Sequence, residues 1–131
     1  MAELNEEARE FLDRKVFAHV ATLMPDGSPQ VTPVWIDHDG SRAIFNTARG
    51  RNKTENLEQD GRIALSIVDP ENPYRHMLIR GRVAEISDEG ADEHIDAMAK
   101  KYLDQDTYPF RQPGEERVKV MIEPASVTIN G

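Results

Sequence analysis

Between Val16 and Thr47, three runs rich in β-branched and aromatic residues follow one another with almost nothing between them. "VFAHVATLM" (Val16–Met24) stops at the turn "PDGSP", "QVTPVWIDH" (Gln30–His38) stops at Asp39–Gly40, and "SRAIFNT" completes the set. Runs of this kind are strands, and connections this short suit antiparallel neighbours, so a three-stranded meander is expected here. Further strands are expected at "RIALSIV" (62–68), "HMLIRGRVAEIS" (76–87), "RVKVMIEP" (117–124) and "SVTI" (126–129), with Gly81 at a bend or bulge and "DPENPYR" (69–75) as a turn. Helices are few. Asn5 can cap a short amphipathic helix over 5–15, because Glu6 and Glu7 suit its positive end and Ala8, Phe11 and Leu12 recur at helical spacing. "KTENLEQD" (53–60) makes one or two turns before Gly61, and Ser87 or Asp88 opens the main helix, lined by Ile95, Met98, Ala99, Tyr102 and Leu103. A parallel nucleotide-binding sheet needs βαβ alternation, which this order lacks. The expected fold class is therefore mainly β (α+β): an antiparallel barrel of six to seven strands flanked by short helices, one domain over 1–131.

Composition narrows the function. The 131 residues contain no cysteine, which excludes disulfides and thiolate metal sites and makes a reducing cytoplasm the expected compartment. The N-terminal "MAELNEEAREFLDRK" reads as a polar helix rather than a signal peptide, and no run approaches membrane-spanning length. A net charge of −8 disfavours nucleic acid and anionic membranes as partners. Of the four histidines, His19, His38, His76 and His94, none has a histidine partner at ligand spacing, so no metal is expected. There is no G-x-S-x-G elbow, Walker loop or G-x-G-x-x-G, and no serine with an activating base nearby. An enzyme built on this chain would rely on a cofactor for its chemistry.

Against that acidic background, "NTARGRNKTEN" (46–56) places Arg49, Arg51 and Lys53 on alternate residues. In an extended turn they project to one side, Thr47 adds a hydroxyl, and the helix that follows points free N–H groups the same way. The arrangement suits a phosphate; a solvated loop offsetting nearby acids is the plainer alternative. In "SPQVTPVWID", Gln30, Thr32, Val34 and Ile36 fall on one face, with Val31, Pro33 and Trp35 on the other. Neither face looks like a solvent face, and Pro33 removes a ladder donor, so this strand belongs at an opening of the sheet. There Gln30 and Thr32 could hydrogen-bond the edge of a heterocycle; an ordinary edge strand is the alternative.

Jointly, "HVATLMPDGSPQVTPVWI", "IFNTARGRNKTENLEQDGRIALSIVDPENPYRHMLIRGRVAEI" and the closing strand region resemble the flavin and deazaflavin oxidoreductase superfamily. Its members are FMN-binding split barrels named for pyridoxamine 5′-phosphate oxidase. Within it, the chain is most similar to the short actinobacterial branch that uses coenzyme F-420, a deazaflavin. The resemblance covers nearly the whole chain. It implies a homodimer with two cofactor sites at the subunit interface. The phosphate would fall to Arg51 and Lys53, and Arg49 would reach the phosphate or the acidic tail of the coenzyme. Ring contacts would fall to Gln30, Thr32, Pro33 and Val34, while Asn72, Pro73, Tyr74 and Arg75 would lean in from the other protomer. Trp35, Tyr74, Arg75 and His76 would line the substrate side, with His76 a candidate acid and the proton donor left open. The implied activity is hydride transfer from the reduced deazaflavin to a conjugated small-molecule acceptor such as a tetrapyrrole, quinone or xenobiotic. FMN as cofactor, or a non-catalytic carrier of cofactor or tetrapyrrole, are the alternatives. Vitamin B6 oxidation is not expected, since the substrate-phosphate residues and a C-terminal arm have no counterpart.

Overall fold

The computed structural model describes residues 3–131. Asn5 caps α1 (Glu6–Asp13), its side-chain oxygen accepting the Ala8 N–H at 2.9 Å, and Ala8, Phe11 and Leu12 turn inward. Then come β1 (Phe17–Leu23), β2 (Pro29–Trp35), β3 (Asp37–His38), β4 (Ala43–Ala48), α2 (Asn52–Gln59), β5 (Arg62–Asp69), β6 (Asn72–Ser87), α3 (Ala91–Leu103) and β7 (Arg117–Asn130). All pairings are antiparallel in one seven-stranded sheet of order β2-β1-β5-β6-β7-β4-β3. The sheet curls around a core in which Ile63, Leu65 and Ile67 of β5, Met77 and Ile79 of β6, and Val120 and Ile122 of β7 meet Phe45. Phe11 and Leu12 join this cluster from α1. Alternation along each strand puts these side chains on one face.

The expected meander does not form. β1 pairs with β2, but Gln30–His38 is two strands, and the second, β3, pairs with β4 at the opposite edge of the sheet. Only Ile36 separates them, so a single stretch of chain joins both edges and forces the sheet to roll into a split barrel. Pro33 lies on the edge strand β2, where a missing N–H is tolerated.

Three boundaries also depart from expectation. The last two strands are one, because the ladder passes Pro124 at an irregularity between Arg80 and Gly81, with Gly81 opposite Pro124. A β-carbon at Gly81 would run into the Glu123 carbonyl, which is why glycine stands there. Ser87 stays in β6, paired with Lys119, so α3 starts only after Gly90, whose φ of +70° turns the chain. The turn at 69–75 is shorter than expected: β6 begins at Asn72, paired with Asp69. Leu103 is partly exposed rather than packed.

The crossing at Ile36 is pinned by α3. The Tyr102 hydroxyl donates to the Val16 carbonyl at 2.6 Å and accepts the Ile36 N–H at 3.0 Å, and Lys101 Nζ donates to the carbonyls of Leu12 and Ile36 at 2.7 and 3.0 Å. Burial pushes the Tyr102 phenol up to about 12 from its usual 10.0, so its contribution to stability is complete below pH 10 and fades as pH rises toward 12. Tyr102→Phe leaves two backbone groups unpaired and is expected to cost about 1–3 kcal/mol in urea unfolding. The variant should also lose less stability than the parent when unfolding is repeated across the alkaline range.

Candidate functional site

β4 ends in a turn whose shape is set locally. Gly50 adopts φ +85°, and the Thr54 hydroxyl donates to the Ala48 carbonyl at 2.9 Å, drawing the start of α2 back onto the strand. Arg51 occupies the N-cap position in extended conformation and gives no side-chain cap, so the first N–H groups of α2 face outward without one. Beside them is a cavity of about 220 Å³. Arg51 and Lys53 form its cationic side, Pro33, Val34 and Trp35 of β2 one wall, and Ile95 and Met98 of α3 an apolar floor. Thr47, only 1% exposed, also lines it, and its hydroxyl has no hydrogen-bond partner. An orphaned buried hydroxyl on the strand that leads into an uncapped helix, lining one cavity with two cations, is a fit for a phosphate group. Lys53 is deprived of water: burial first, then the charges of Arg51 and Arg117, hold its ammonium below the usual lysine range.

The structure thus brings together Pro33, Val34, Trp35, Thr47, Arg51 and Lys53 from the sequence reading. Others fall outside. Arg49 stands between Glu58 and Glu116, 3.7 Å from each, with its charge already faced by two carboxylates. Gln30 receives a long hydrogen bond from Asn56 at 3.4 Å, and the Thr32 hydroxyl, farther along β2, is buried without a partner. Asn72, Pro73, Tyr74, Arg75 and His76 do not line this chain's cavity. Tyr74 is 86% exposed, whereas Arg75 bridges Asp69 and Glu7 at 3.0 and 3.1 Å over the Phe11 ring, tethering α1.

The sequence reading missed Phe17, Asn46, Tyr108, Phe110 and Arg117, which complete the lining. Trp35 stacks on Tyr102 at 5.0 Å and meets Tyr108 edge-on at 6.0 Å, and Phe110 stands edge-on to Tyr108 at 5.7 Å. The available signal was two aromatics inside an otherwise polar, proline-bearing loop. A larger groove, about 780 Å³, crosses β1, β5, β6 and the middle of β7 over Ala21, Ala64 and Ala125, edged by Arg62, Arg80 and Arg82. Size alone favours that groove; convergent buried polar groups make the smaller cavity the candidate site. Among the described residues no group of acidic, histidine or cysteine side chains could hold a metal, and no helix is long and apolar enough to cross a membrane.

The sequence profile of pyridoxamine 5′-phosphate oxidase matches residues 4–130. The chain belongs to that family. Among solved structures of this fold, an F-420 reductase is 30% identical, with a TM-score of 0.81 over 92% of this chain and 94% of its own. A conserved hypothetical protein of Mycobacterium tuberculosis is 24% identical, with a TM-score of 0.75 over 99% and 84%. HupZ of group A Streptococcus, also 24% identical, has a TM-score of 0.66 over 95% and 92%, so the pyridoxamine 5′-phosphate oxidase fold extends to it. Comparison with curated proteins gives no match.

Thr47→Val tests the orphaned hydroxyl directly. An unpaired buried polar group costs about 1–3 kcal/mol, so the isosteric variant should be more stable than the parent without ligand and weaker in binding phosphate-bearing ligands. Thermal melts with and without ligand check both signs; lower stability without ligand would mean that the hydroxyl is satisfied.

Proposed function

We propose that this protein is an oxidoreductase that binds coenzyme F-420 with its phosphate in the 220 Å³ cavity and delivers hydride from its reduced form to a conjugated small-molecule acceptor. The observation that carries this reading is the meeting of Arg51, Lys53 and the unpartnered Thr47 hydroxyl beside an apolar and aromatic wall. The 30% identical F-420 reductase supports the choice of cofactor. When bound, the deazaflavin supplies two-electron hydride chemistry. The protein's residues do the rest. Arg51, Lys53 and the Thr47 hydroxyl hold the phosphate, and the uncapped start of α2 adds backbone donors. Pro33, Val34 and Trp35 bound the ring side, while Gln30 and Thr32 of the same strand lie outside the cavity. Holding ring and acceptor in register, with water kept off by Trp35, Tyr108 and Phe110, is the main catalytic contribution of such a site.

Arg49 has a secondary role, steering the acidic tail of the coenzyme, because Glu58 and Glu116 already occupy it. The segment Asn72–His76 serves the site of a second protomer, with Tyr74, Arg75 and His76 on its acceptor side. Self-association uses the face that exposes Phe17 (53%) and Val31 (60%), large apolar side chains on adjacent strands. FMN is the second reading, since a phosphate clamp accepts either ligand.

Arg51→Ala and Lys53→Ala are each expected to raise the dissociation constant for F-420 about 10- to 100-fold in calorimetry, with little change in melting temperature. Parent-like affinity in both variants would remove the clamp. Spectral titration with F-420 and FMN separates the two cofactors. Oxidation of the reduced cofactor by a panel of quinones and tetrapyrroles separates an enzyme from a carrier.

Sedimentation of the parent should give twice the 14.8 kDa chain mass, and Val31→Glu should shift it to monomer with weakened cofactor binding. A parent that sediments as monomer with full affinity would overturn the shared site.

A further inference from the structure

Arg117 opens β7 beside the cavity, and its side chain is only 3% exposed. Its guanidinium is held on two sides: Nε donates to Asn46 Oδ1 at 2.8 Å and Nη1 to Glu115 Oε1 at 2.9 Å. The Tyr108 ring lies 5.2 Å from its centre. Asn46 cannot turn away, because its Nδ2 donates to the Ala91 carbonyl at 2.9 Å and to His94 Nδ1 at 3.1 Å. With Nδ1 accepting, the His94 ring carries its proton on Nε2 and passes that hydrogen bond to Asp37 Oδ2 at 3.1 Å. Flipping the amide would set donor against donor at Arg117 and acceptor against acceptor at the Ala91 carbonyl and His94 Nδ1. Arg117 is therefore preset, and among the described residues its Nη2 has no hydrogen-bond partner.

The charges around it do not balance. Arg51, Lys53 and Arg117 line one cavity, and among the described residues Glu115 is the only carboxylate paired with any of them, 2.9 Å from Arg117 and 3.7 Å from Arg51. Lys53 has no ion-pair partner among the described residues, and two positive charges are left unmatched. Arg117 and Glu115 are nearly buried whereas Arg51 is half exposed, so water screens the inner part of the imbalance least. Like charges gathered around a partly buried cavity are unfavourable until an anion enters.

We propose that Arg117 is a third ligand-binding cation of this cavity, held in place by Glu115 and by the Asn46–His94–Asp37 relay. Together with Arg51 and Lys53 it takes an anionic end carrying two negative charges. A phosphomonoester has that charge by itself; a phosphodiester reaches it with a carboxylate further along. The proposal rests on the cofactor reading above and adds a residue to it.

The test measures binding of FMN against riboflavin, and of F-420 against its phosphate-free riboside, to the parent and to Arg117→Met, Arg117→Lys and Asn46→Asp. The two pairs also distinguish the two sources of the anion. Arg117→Met should weaken the phosphate-bearing member about 10- to 100-fold while leaving the phosphate-free member unchanged, and Arg117→Lys should recover part of the loss. Asn46→Asp places a carboxylate against Arg117 without removing it, so it should lower the same selectivity even if Arg117→Met folds poorly. Equal weakening of both members by Arg117→Met and Asn46→Asp, or no weakening, would overturn the proposal. If Arg51→Ala and Lys53→Ala abolish phosphate selectivity and the Arg117 variants keep it, the cofactor reading stands and this one falls. A parent with no affinity for any of the four ligands would overturn both.

Discussion

One residue, Ile36, carries the geometry on which the site depends. Because β2 and β3 are consecutive in the chain but lie at opposite edges of the sheet, the backbone at Ile36 must bridge those edges. Its side chain is fully buried, and its N–H and carbonyl are both taken by α3 through Tyr102 and Lys101. This closure brings Pro33, Val34 and Trp35 into one cavity with Thr47 of β4 and the basic turn that follows it. The same helix that ties the crossing supplies the cavity floor through Ile95 and Met98. Fold stability and site geometry are therefore coupled through α3.

Local pattern was enough to read the strands, because their alternation and turn residues are local signals. The bulge at Gly81 and the cap at Asn5 were legible for the same reason. What escaped was pairing. The turn at Asp39–Gly40 does make a tight connection, but between β3 and β4, and nothing local at Ile36 reveals that the strand changes partners there. Ser87 looked like a helix cap, yet its pairing with Lys119 keeps it in the sheet, a tertiary effect that overrides local preference. In the site, Arg51, Lys53 and Thr47 were visible as a cluster in sequence. Arg117 was not, because it lies far along the chain and reads as the polar start of an apolar strand. Arg49 shows the opposite limit, since its carboxylate partners Glu58 and Glu116 become neighbours only in the fold.

The chemistry of the cavity follows from what is missing a partner. An acidic protein can place cations anywhere on its surface at little cost, and most of its ion pairs are of that exposed kind. The cavity differs because Arg117, Glu115 and Thr47 are buried, so the local imbalance of charge and the orphaned hydroxyl are maintained at some cost to the empty protein. A bound anion would relieve both at once. Function and instability thus share the same residues, as is common where a site is prepared in advance.

The central claim, that this cavity holds the phosphate of a flavin-type cofactor, is tested most directly by a crystal structure of the protein with F-420 or FMN bound. The expected result is phosphate oxygens within hydrogen-bond distance of the Thr47 hydroxyl and of Arg51 and Lys53, with the ring against Pro33 and Val34. A ligand seated instead in the larger groove between Arg62, Arg80 and Arg82, with the cationic cavity unfilled, would contradict it.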